Sequence, residues 1–413
     1  MSQSNALIDI GRKLKLNVIS HGIYFIKNLF HYRGIGWGKL ISINDILSSN
    51  FPNVNILSYE NVRLQYSPPL FSSDININSE LSEGREYPQY VVQIKNAVAY
   101  GDSNTINVTP GKVLYDMPVF DKRRRFKYST PYSKIITIKG DTVFYWKGKT
   151  MTVKEGIWMG GNYSWNYYHL LYEFIIKFRR LDSLNIPTTV PVLVDQVCLD
   201  VPQFKELLGI ANNKGYPLIG IDRQYRVKVG ELTYINCPNF IPPDNAGDDS
   251  QSSDVQLNIN ALLDLRTYLL SYSSKKEFPK RIFISRKNAS GRRKFNEGEI
   301  IQMLSEFGFE VVFPETLSVA DQISLFSQAE LIIGGSGAAF SNLLFCNNQT
   351  KAIILYRFHI PFSGFSTPAF VAGAYLFSIT EEDTNKNMNR GGIHDTYEID
   401  LSYLKKRLVE LGI

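Results

Sequence analysis

The stretch Leu331-Ile-Ile-Gly334-Gly-Ser-Gly-Ala-Ala-Phe-Ser-Asn342 decides the fold of the second half of the chain. Apolar residues typical of a buried strand lead into a glycine-rich turn, and residues 338–345 after the turn predict a short helix. Glycine lets backbone amides approach a ligand closely, and the N-terminus of a helix carries partial positive charge. The stretch therefore predicts either an anion site suited to a pyrophosphate or a tight turn that binds nothing. No Lys-Ser or Lys-Thr pair follows the glycines, which argues against an ATPase.

Strands and helices alternate on both sides of this turn. Strands are predicted over 281–285, 310–313, 331–333 and 352–356, and helices over 255–271, 296–308, 318–329 and 401–411. Strict alternation of this kind predicts a parallel sheet with helices on both faces. The second half is therefore predicted to be a Rossmann-like α/β domain.

The first half begins with short strands separated by turns. Runs over 90–94, 105–108 and 142–146 predict strands, with Gly-Asp and Pro-Gly pairs between them. A helix is predicted over 165–181, and strands and helices then alternate as far as Asn236. These patterns predict a β-rich entry to another Rossmann-like domain.

The length of 413 residues exceeds what one ordinary core covers, so two compact domains with additional segments are expected. Residues 238–253 are rich in Pro, Asp and Ser and mark a domain boundary, whereas residues 67–86 have the composition of a linker. The predicted division is an N-terminal extension and linker over 1–85, a first α/β domain over 86–245, a second over 246–375, and a C-terminal segment over 376–413 that packs back on the first.

Composition narrows the class of protein. Hydrophobic residues make up 44% and charged residues 20%, which is typical of a globular chain, and a net charge of +6 is too diffuse to predict a nucleic-acid partner. The three cysteines, Cys198, Cys237 and Cys346, are far apart and indicate a reducing cytoplasm. The five histidines are dispersed, so no metal site is predicted.

The N-terminal residues leave two interpretations open. Basic residues such as Lys13, Lys27 and Arg33 alternate there with apolar ones such as Phe25 and Trp37. They could form a helical extension that packs on the main body, or a surface that contacts acidic lipid at the inner face of a membrane. No apolar run is long enough to span a bilayer and no signal peptide is recognisable, so the predicted location is cytoplasmic.

A second position suited to anion binding follows the predicted strand over 281–285. Arg286 lies just past its C-terminal end, the edge at which open α/β sheets bind ligands. Arginine contacts phosphate through two charge-assisted hydrogen bonds. The alternative is a basic surface loop, but two such edges in one predicted sheet favour a ligand site.

A third position lies on the helix predicted over 165–181. Asn166, His169, Glu173 and Lys177 are spaced along one side of it, opposite an apolar stripe. Histidine can take a proton from a sugar hydroxyl near neutral pH. Taken alone, a single histidine more often only hydrogen-bonds to its neighbours.

In these three regions the sequence resembles glycosyltransferase family 61. The similarity runs from about Tyr90 to the C-terminus and is sharpest from Arg281 to Tyr356, with bacterial members nearest in pattern. The blocks that carry it are Asn166-Tyr-Tyr-His169-Leu, Arg281-Ile-Phe-Ile-Ser-Arg286, Arg292-Arg-Lys-Phe-Asn296-Glu297, Phe309-Glu-Val-Val-Phe-Pro-Glu315, Asp321-Gln322, and Gly337-Ala338-x-x-x-Asn342-Leu-Leu-Phe345. In this order and spacing they are specific.

The resemblance implies a GT-B fold, in which two Rossmann-like domains face a cleft and the C-terminal one binds the donor. It implies inverting transfer from a nucleotide sugar, typically a UDP-sugar, to a glycan or lipid-linked glycan in bacterial capsule or lipopolysaccharide synthesis. No cofactor or metal ion is expected, because fixed positive charges can stabilise the leaving diphosphate.

The resemblance also assigns residues. Arg286, Arg292 and the Gly337-Ala338 turn would hold the diphosphate. Residues that would shape or support the donor pocket are Asn296, Glu315, Gln322, Ser336 and Asn342. His169 becomes the predicted catalytic base, with Asn166 and Glu173 on the acceptor side.

One departure supports an alternative. The family usually has His immediately before the Gly-Ala of the glycine turn, where this chain has Ser336. Serine can donate a hydrogen bond to phosphate, but it carries no positive charge and is a poor base. The alternative function is a catalytically degenerate subunit that binds nucleotide or glycan within a polysaccharide assembly complex.

Overall fold

The computed structural model describes residues 35–71, 79–115, 135–139, 142–146, 148–242, 251–289, 293–385 and 395–412. Within these ranges the chain forms two β-sheets with helices packed against them, which confirms the α/β class. The domain boundary predicted at 245–246, the Gly140-Asp141 turn and the basic stretch before residue 35 lie outside the described residues.

The strands are numbered in chain order. They are β1 (Ile35–Ile41), β2 (Val54–Tyr66), β3 (Leu70–Phe71), β4 (Ser82–Tyr100), β5 (Thr105–Thr109), β6 (Lys112–Tyr115), β7 (Ile135–Lys139), β8 (Thr142–Trp146), β9 (Lys149–Trp158), β10 (Val192–Asp195), β11 (Leu218–Ile221), β12 (Tyr225–Ile235), β13 (Arg281–Ile284), β14 (Glu310–Val312), β15 (Leu331–Gly335), β16 (Lys351–Tyr356) and β17 (Tyr375–Thr380).

The helices follow the same convention. They are α1 (Ile43–Ser48), α2 (three consecutive segments, Tyr167–His169, Leu170–Ile175 and Ile176–Asp182), α3 (Val197–Asp200), α4 (Pro202–Ala211), α5 (Ile259–Leu270), α6 (Glu297–Ser305), α7 (Val319–Gln328), α8 (Ser363–Ala372) and α9 (Leu401–Glu410). Short 3₁₀ helices cover Ser252–Asp254, Pro314–Thr316, Ala338–Phe345 and Glu381–Asp383.

The first sheet is mixed. Its order is β11-β10-β9-β12-β4-β5-β6-β1-β8-β7, and β2 pairs with β4. The neighbours β11, β10, β9 and β12 are parallel, whereas β4 pairs antiparallel with β12, β2 and β5. Only the four parallel strands follow the Rossmann-like pattern, in the order 3-2-1-4, and the winding reverses between β9 and β12.

The second sheet is parallel throughout. Its order is β14-β13-β15-β16-β17-β3. Counting β13 to β17 as one to five gives 2-1-3-4-5, a doubly wound order that reverses between β13 and β15. Ligands bind such sheets outside the carboxyl ends of the strands at the point of reversal. Arg286 and Ser336 follow the two strands at this point.

Alternation along the central strands divides the core into layers. Ile282 and Ile284 of β13 join a cluster that contains α2, α5, α7 and α8, whereas Phe283 between them joins the cluster on the opposite face with α6 and α9. The first cluster also includes Ile157 and Val192 from the first sheet. These helices therefore lie in an apolar layer that both sheets cover.

The C-terminal segment packs differently from the prediction. Residues 376–413 were expected to return to the first domain, but β17 pairs with β16 and α9 packs on the second sheet beside α6. The reason is the apolar stripe of α9, in which Leu404 and Leu408 are fully buried. The predicted linker over 67–86 likewise contains β3, which extends the second sheet, and the start of β4.

Leu408→Ala tests this packing. Removing a fully buried leucine side chain leaves a cavity, so we expect a loss of about 2–5 kcal/mol in the free energy of unfolding. Val409→Ala is the matched control, because Val409 is 62% exposed, and it should change stability by less than about 0.5 kcal/mol. Equal denaturant midpoints for the two variants would show that α9 does not pack as described.

In the ranges that the structure covers, no helix combines the length and the apolar character needed to cross a bilayer.

Candidate functional site

A cavity of about 190 Å³ lies where loops from both sheets meet. The first sheet contributes Asn166 and His169, which follow β9, and residues 241–242, which follow β12. The second sheet contributes Ser336 and its neighbours after β15, and Arg293 from the β13–α6 connection. The reversal points of both sheets therefore open onto one cleft, as expected for a ligand site in a doubly wound fold.

The base predicted from the sequence faces this cleft. Asn166 is the N-cap of α2, and its side-chain oxygen accepts a hydrogen bond from the Tyr168 amide at 2.9 Å. One turn later, His169 Nδ1 bonds the carboxylate of Glu173, and the Tyr163 ring stacks on the imidazole at 4.9 Å. A carboxylate only accepts hydrogen bonds, so Nδ1 carries the hydrogen and Nε2 can accept a proton.

Glu173 and Lys177, which were predicted on the face opposite the apolar stripe, are both buried. Their exposed fractions are 2% and 3%, and every residue of the Leu170–Ile175 segment is buried. This segment is π-helical, a variant that recurs at functional sites. The helix is buried all round because it belongs to the apolar layer between the sheets. Burial holds the Glu173 carboxylate in place, so the orientation of His169 is fixed.

Two arginines meet at the opposite wall. Arg286 Nη1 donates to the Ser336 carbonyl at 2.7 Å, and Arg293 Nη1 donates to Ser336 Oγ at 3.2 Å. Burial lowers the pKa of both guanidinium groups, and the charge of Arg286 lowers that of Arg293 further. Arg286 Nε is buried with no hydrogen-bond partner among the described residues. Two partly buried cations beside an open cavity favour a bound anion.

The glycine-rich turn makes room for one of these arginines. A Cβ at Gly337 would lie 2.2 Å from Arg286 Nη1, and one at Gly335 would lie 2.9 Å from Arg286 Cδ. Gly337 has an extended backbone with φ of −176°, so it is the close approach rather than the dihedral angle that requires glycine. After the turn, Ala338–Phe345 is a 3₁₀ helix whose first residue lines the cleft.

A buried hydrogen-bond chain connects the two halves of the cleft. The Tyr167 hydroxyl of α2 donates to Asn342 Oδ1 at 2.8 Å, and Asn342 Nδ2 donates to Gln322 Oε1 at 3.1 Å. Asn342 and Gln322 are both buried and line neither described cavity. Of the two predicted roles, this arrangement fits support of the site.

Three other predicted residues are placed differently. Asn296 bonds the backbone of Ile399 through both ends of its amide, at 2.9 and 3.0 Å, and so fastens the C-terminal segment to α6. Glu315 is exposed on a 3₁₀ turn and lines neither described cavity. Arg292 lies outside the described residues, whereas the adjacent Arg293 reaches the cleft.

Hydrogen bonds to buried carboxyl groups hold the loop that leads to His169. Asp195, at the end of β10, accepts hydrogen bonds from the backbone amides of Gly161 and Asp102, both at 2.8 Å. Ser164 donates to the Asp102 carboxylate at 3.1 Å. Burial, then the nearby Asp102 carboxylate, raises the pKa of Asp195 to about 7. A buried carboxyl pair thus fixes the loop between β9 and α2.

Asp195→Asn should change the pH dependence of stability. The wild-type carboxyl holds its proton up to a pH of about 7 when folded, but only to its ordinary value of 3.8 when unfolded. Its contribution to stability therefore falls as pH rises from about 4 to about 7, by up to about 1.4 kcal/mol per pH unit, and is level above that window. Asparagine does not titrate, so the variant lacks this fall.

Urea unfolding at several pH values measures the difference between the two proteins. The exposed Asp200, five residues along the chain, provides the control Asp200→Asn, which should keep the wild-type pH profile. A wild-type slope in Asp195→Asn would contradict the raised pKa.

Comparison with known proteins gives one finding on family. Residues 167–353 match the family model described as Glycosyltransferase 61. The match begins at α2 and ends within β16, so it contains His169, Glu173, both cleft arginines and the glycine-rich turn. Among curated proteins, none matches the chain.

Proposed function

The chain belongs to glycosyltransferase family 61 through residues 167–353, and on that premise we propose that it moves a sugar from a nucleotide donor, UDP in the first instance, to a glycan acceptor. The observation that carries the proposal is the cleft itself. A histidine oriented by a buried carboxylate lines one side, and Arg293 beside Arg286 lines the other. Proton removal and stabilisation of a leaving diphosphate need these two kinds of group.

The proposed reaction is a single displacement. His169 Nε2 takes the proton of an acceptor hydroxyl, whose oxygen then forms a bond to the anomeric carbon of the donor. The bond from that carbon to the diphosphate oxygen breaks, and the nucleoside diphosphate leaves with the electron pair. Attack from the face opposite the leaving group inverts the configuration. Arg286 and Arg293 stabilise the charge that develops on the diphosphate.

We propose a GT-B arrangement for the same reasons. The parallel strands β9 to β12 and β13 to β17 each reverse their winding at the cleft. In this arrangement the first sheet binds the acceptor and the second binds the donor. The remaining strands of the first sheet, β1, β2 and β4 to β8, extend the acceptor side beyond the Rossmann-like part.

Several finer points stay proposals that rest on the family resemblance. The acceptor is a glycan or lipid-linked glycan of a bacterial surface polysaccharide, and transfer takes place in the cytoplasm or at the inner membrane face. Transfer without a divalent cation is proposed because two guanidinium groups supply positive charge at the diphosphate position. Full activity after EDTA treatment is the expected result, and loss that Mg²⁺ or Mn²⁺ restores would overturn this point.

A screen of nucleotide sugars tests the proposed function. UDP-, GDP- and CMP-sugars are compared by thermal shift, and any stabilising donor is then incubated with the protein while released nucleotide is measured. Stabilisation with slow release of the nucleoside diphosphate supports a transferase. If no nucleotide sugar stabilises the protein, the proposal fails.

Ser336 favours a second candidate, a non-catalytic nucleotide- or glycan-binding subunit. The family usually has His at this position. In this chain the Ser336 carbonyl and hydroxyl accept hydrogen bonds from Arg286 and Arg293. The same screen separates the candidates, because binding without any nucleotide release, even with acceptor glycans present, favours the subunit.

A further inference from the structure

A second cavity lies on the other side of Arg293. Its volume is about 580 Å³, and it opens where β13 and β14 end. Arg293 lines both this cavity and the cleft, and Arg286 lines the second cavity while it contacts Ser336 of the cleft. The two arginines therefore lie between the cleft and the second cavity.

The sizes of these spaces suggest a division of the donor. Pockets that enclose a small organic ligand measure roughly 300–1,000 Å³. The cleft, at about 190 Å³, falls below this range and the second cavity, at about 580 Å³, falls within it. A nucleotide sugar with its diphosphate at the arginines could place its sugar in the cleft and its nucleoside in the second cavity.

The walls of the second cavity fit a flat, partly apolar ring. Phe295, Ile301, Val311 and Phe313 contribute apolar surface. Val311 is 38% exposed, which is high for a valine on a strand. Phe295 stacks on Tyr397 with 9° between the ring planes, so its orientation is fixed. Apolar walls with a few fixed polar groups are typical of sites that bind nucleobases.

One carboxylate in this cavity has an oxygen that can accept further hydrogen bonds. Glu297 is the first residue of α6, and its Oε1 accepts hydrogen bonds from the Ser285 hydroxyl and the Arg286 amide. Its Oε2 accepts none from the described residues. A carboxylate oxygen has two lone pairs for hydroxyl donors, and acidic residues bind the ribose diol in other nucleotide sites.

We propose that the second cavity is the ribonucleoside subsite of the donor, with Glu297 Oε2 accepting the ribose hydroxyls and Arg293 joining this subsite to the cleft. The proposal rests on the proposed function. It assigns a ligand-binding role to residues of the second cavity, which lie outside the glycine-rich turn and the surroundings of His169.

Gly298 offers a way to block this subsite without disturbing the fold. It lines the cavity, and a Cβ at this position would meet no heavy atom within 4 Å. Gly209 in α4 is equally unobstructed and lines neither described cavity, so it supplies the matched control. Both positions are helical, where any ordinary residue is more favourable than glycine.

The experiment compares Gly298→Phe, Gly209→Phe and wild type by titration calorimetry. The probes are UDP, GDP, ADP and CDP, with inorganic pyrophosphate as a ligand for the arginines alone. We expect Gly298→Phe to weaken the best nucleoside diphosphate by at least about tenfold, while its pyrophosphate affinity stays within about twofold of wild type. Gly209→Phe should bind both as wild type does.

A second pair of measurements addresses Glu297. Wild type should prefer the best ribonucleoside diphosphate over its 2′-deoxy form, and Glu297→Gln should lose most of this preference. Because the comparison is made within one variant, a general loosening of the Ser285 and Arg286 contacts does not imitate the result. An unchanged preference in Glu297→Gln would overturn the ribose assignment.

The outcomes separate this proposal from the proposed function. If wild type binds pyrophosphate and all four nucleoside diphosphates bind no tighter, the nucleoside subsite is wrong while the arginine site stands. If neither pyrophosphate nor any nucleotide binds, the proposed function fails and this proposal fails with it. Val311→Glu, which adds negative charge to the same cavity, is a second blocking variant. Undiminished nucleotide affinity in both blocking variants overturns the subsite.

Discussion

Arg293→Ala is expected to lower kcat/KM for the nucleotide-sugar donor by about 100- to 1,000-fold. Arg293 lines both cavities and donates to Ser336 Oγ, so its guanidinium lies where a diphosphate would join them. Burial and the charge of Arg286 lower the pKa of Arg293, so both disfavour its charged form. A diphosphate removes that penalty, and the benefit grows as the leaving group gains charge.

Steady-state kinetics and UDP calorimetry on the same preparation measure this effect. Arg293→Lys keeps the charge but loses the two-pronged contact, so it should recover only part of the rate. Arg226→Ala, in β12 and lining neither described cavity, is a control that should behave as wild type. Wild-type kinetics in Arg293→Ala would remove the arginine pair from the reaction, and with it the main support for the transferase.

Arg286 was the arginine that the sequence singled out, and its replacement should have a mixed effect. Gly335 and Gly337 leave room for its side chain, and its Nη1 holds the Ser336 carbonyl. Loss of this side chain therefore removes a charge and also leaves a gap under the glycine-rich turn. For this reason Arg293 gives the cleaner test of anion binding.

The strands of the second sheet were predictable because they are apolar runs bounded by clear turn and helix-cap signals. The strands over 281–284 and 331–335 end at polar or glycine-rich turns, and Ser318 caps α7 through the Asp321 amide at 3.1 Å. Local signals of this kind do not depend on what the element packs against. They predicted that Arg286 and Ser336 follow strands of one parallel sheet.

Other elements were missed for a physical reason. Helix α8 contains Pro368 and is buried along most of its length, so it shows no polar face that a periodicity could reveal. The helix with His169 has the same surroundings, so the face with Glu173, opposite the predicted apolar stripe, is buried as well. Amphipathic spacing identifies helices that have one solvent-exposed face. It fails for a layer of helices that is buried between two sheets.

The arginine assignment shows a different limit. Arg292 and Arg293 are adjacent and chemically identical, so the sequence alone does not single out Arg293, which lines the cleft. The close approach of Gly337 to Arg286 is equally invisible in a sequence, because the residues are far apart along the chain. Local patterns thus predicted the kinds of residue at the site, but not each member.

The second large effect is expected for His169→Ala, which should lower kcat by about 100- to 10,000-fold while UDP affinity stays within about twofold of wild type. The difference between kcat and UDP affinity follows from position, because His169 lines one side of the cleft, where we place the acceptor, and Arg293 lines the other, where we place the diphosphate. A base acts on the acceptor hydroxyl in the transition state, so its loss lowers kcat without weakening donor binding.

Glu173→Gln separates chemistry from packing at the same site. Glutamine can keep a hydrogen bond to His169 Nδ1 but cannot stabilise the imidazolium that forms during proton transfer, so kcat should fall less than in His169→Ala. Thermal unfolding shows whether each variant keeps its fold, and UDP calorimetry shows whether the donor side is intact. Full kcat in His169→Ala would move the base elsewhere in the cleft. A joint loss of kcat and UDP affinity would mean that His169 supports the cleft and does not act on the acceptor.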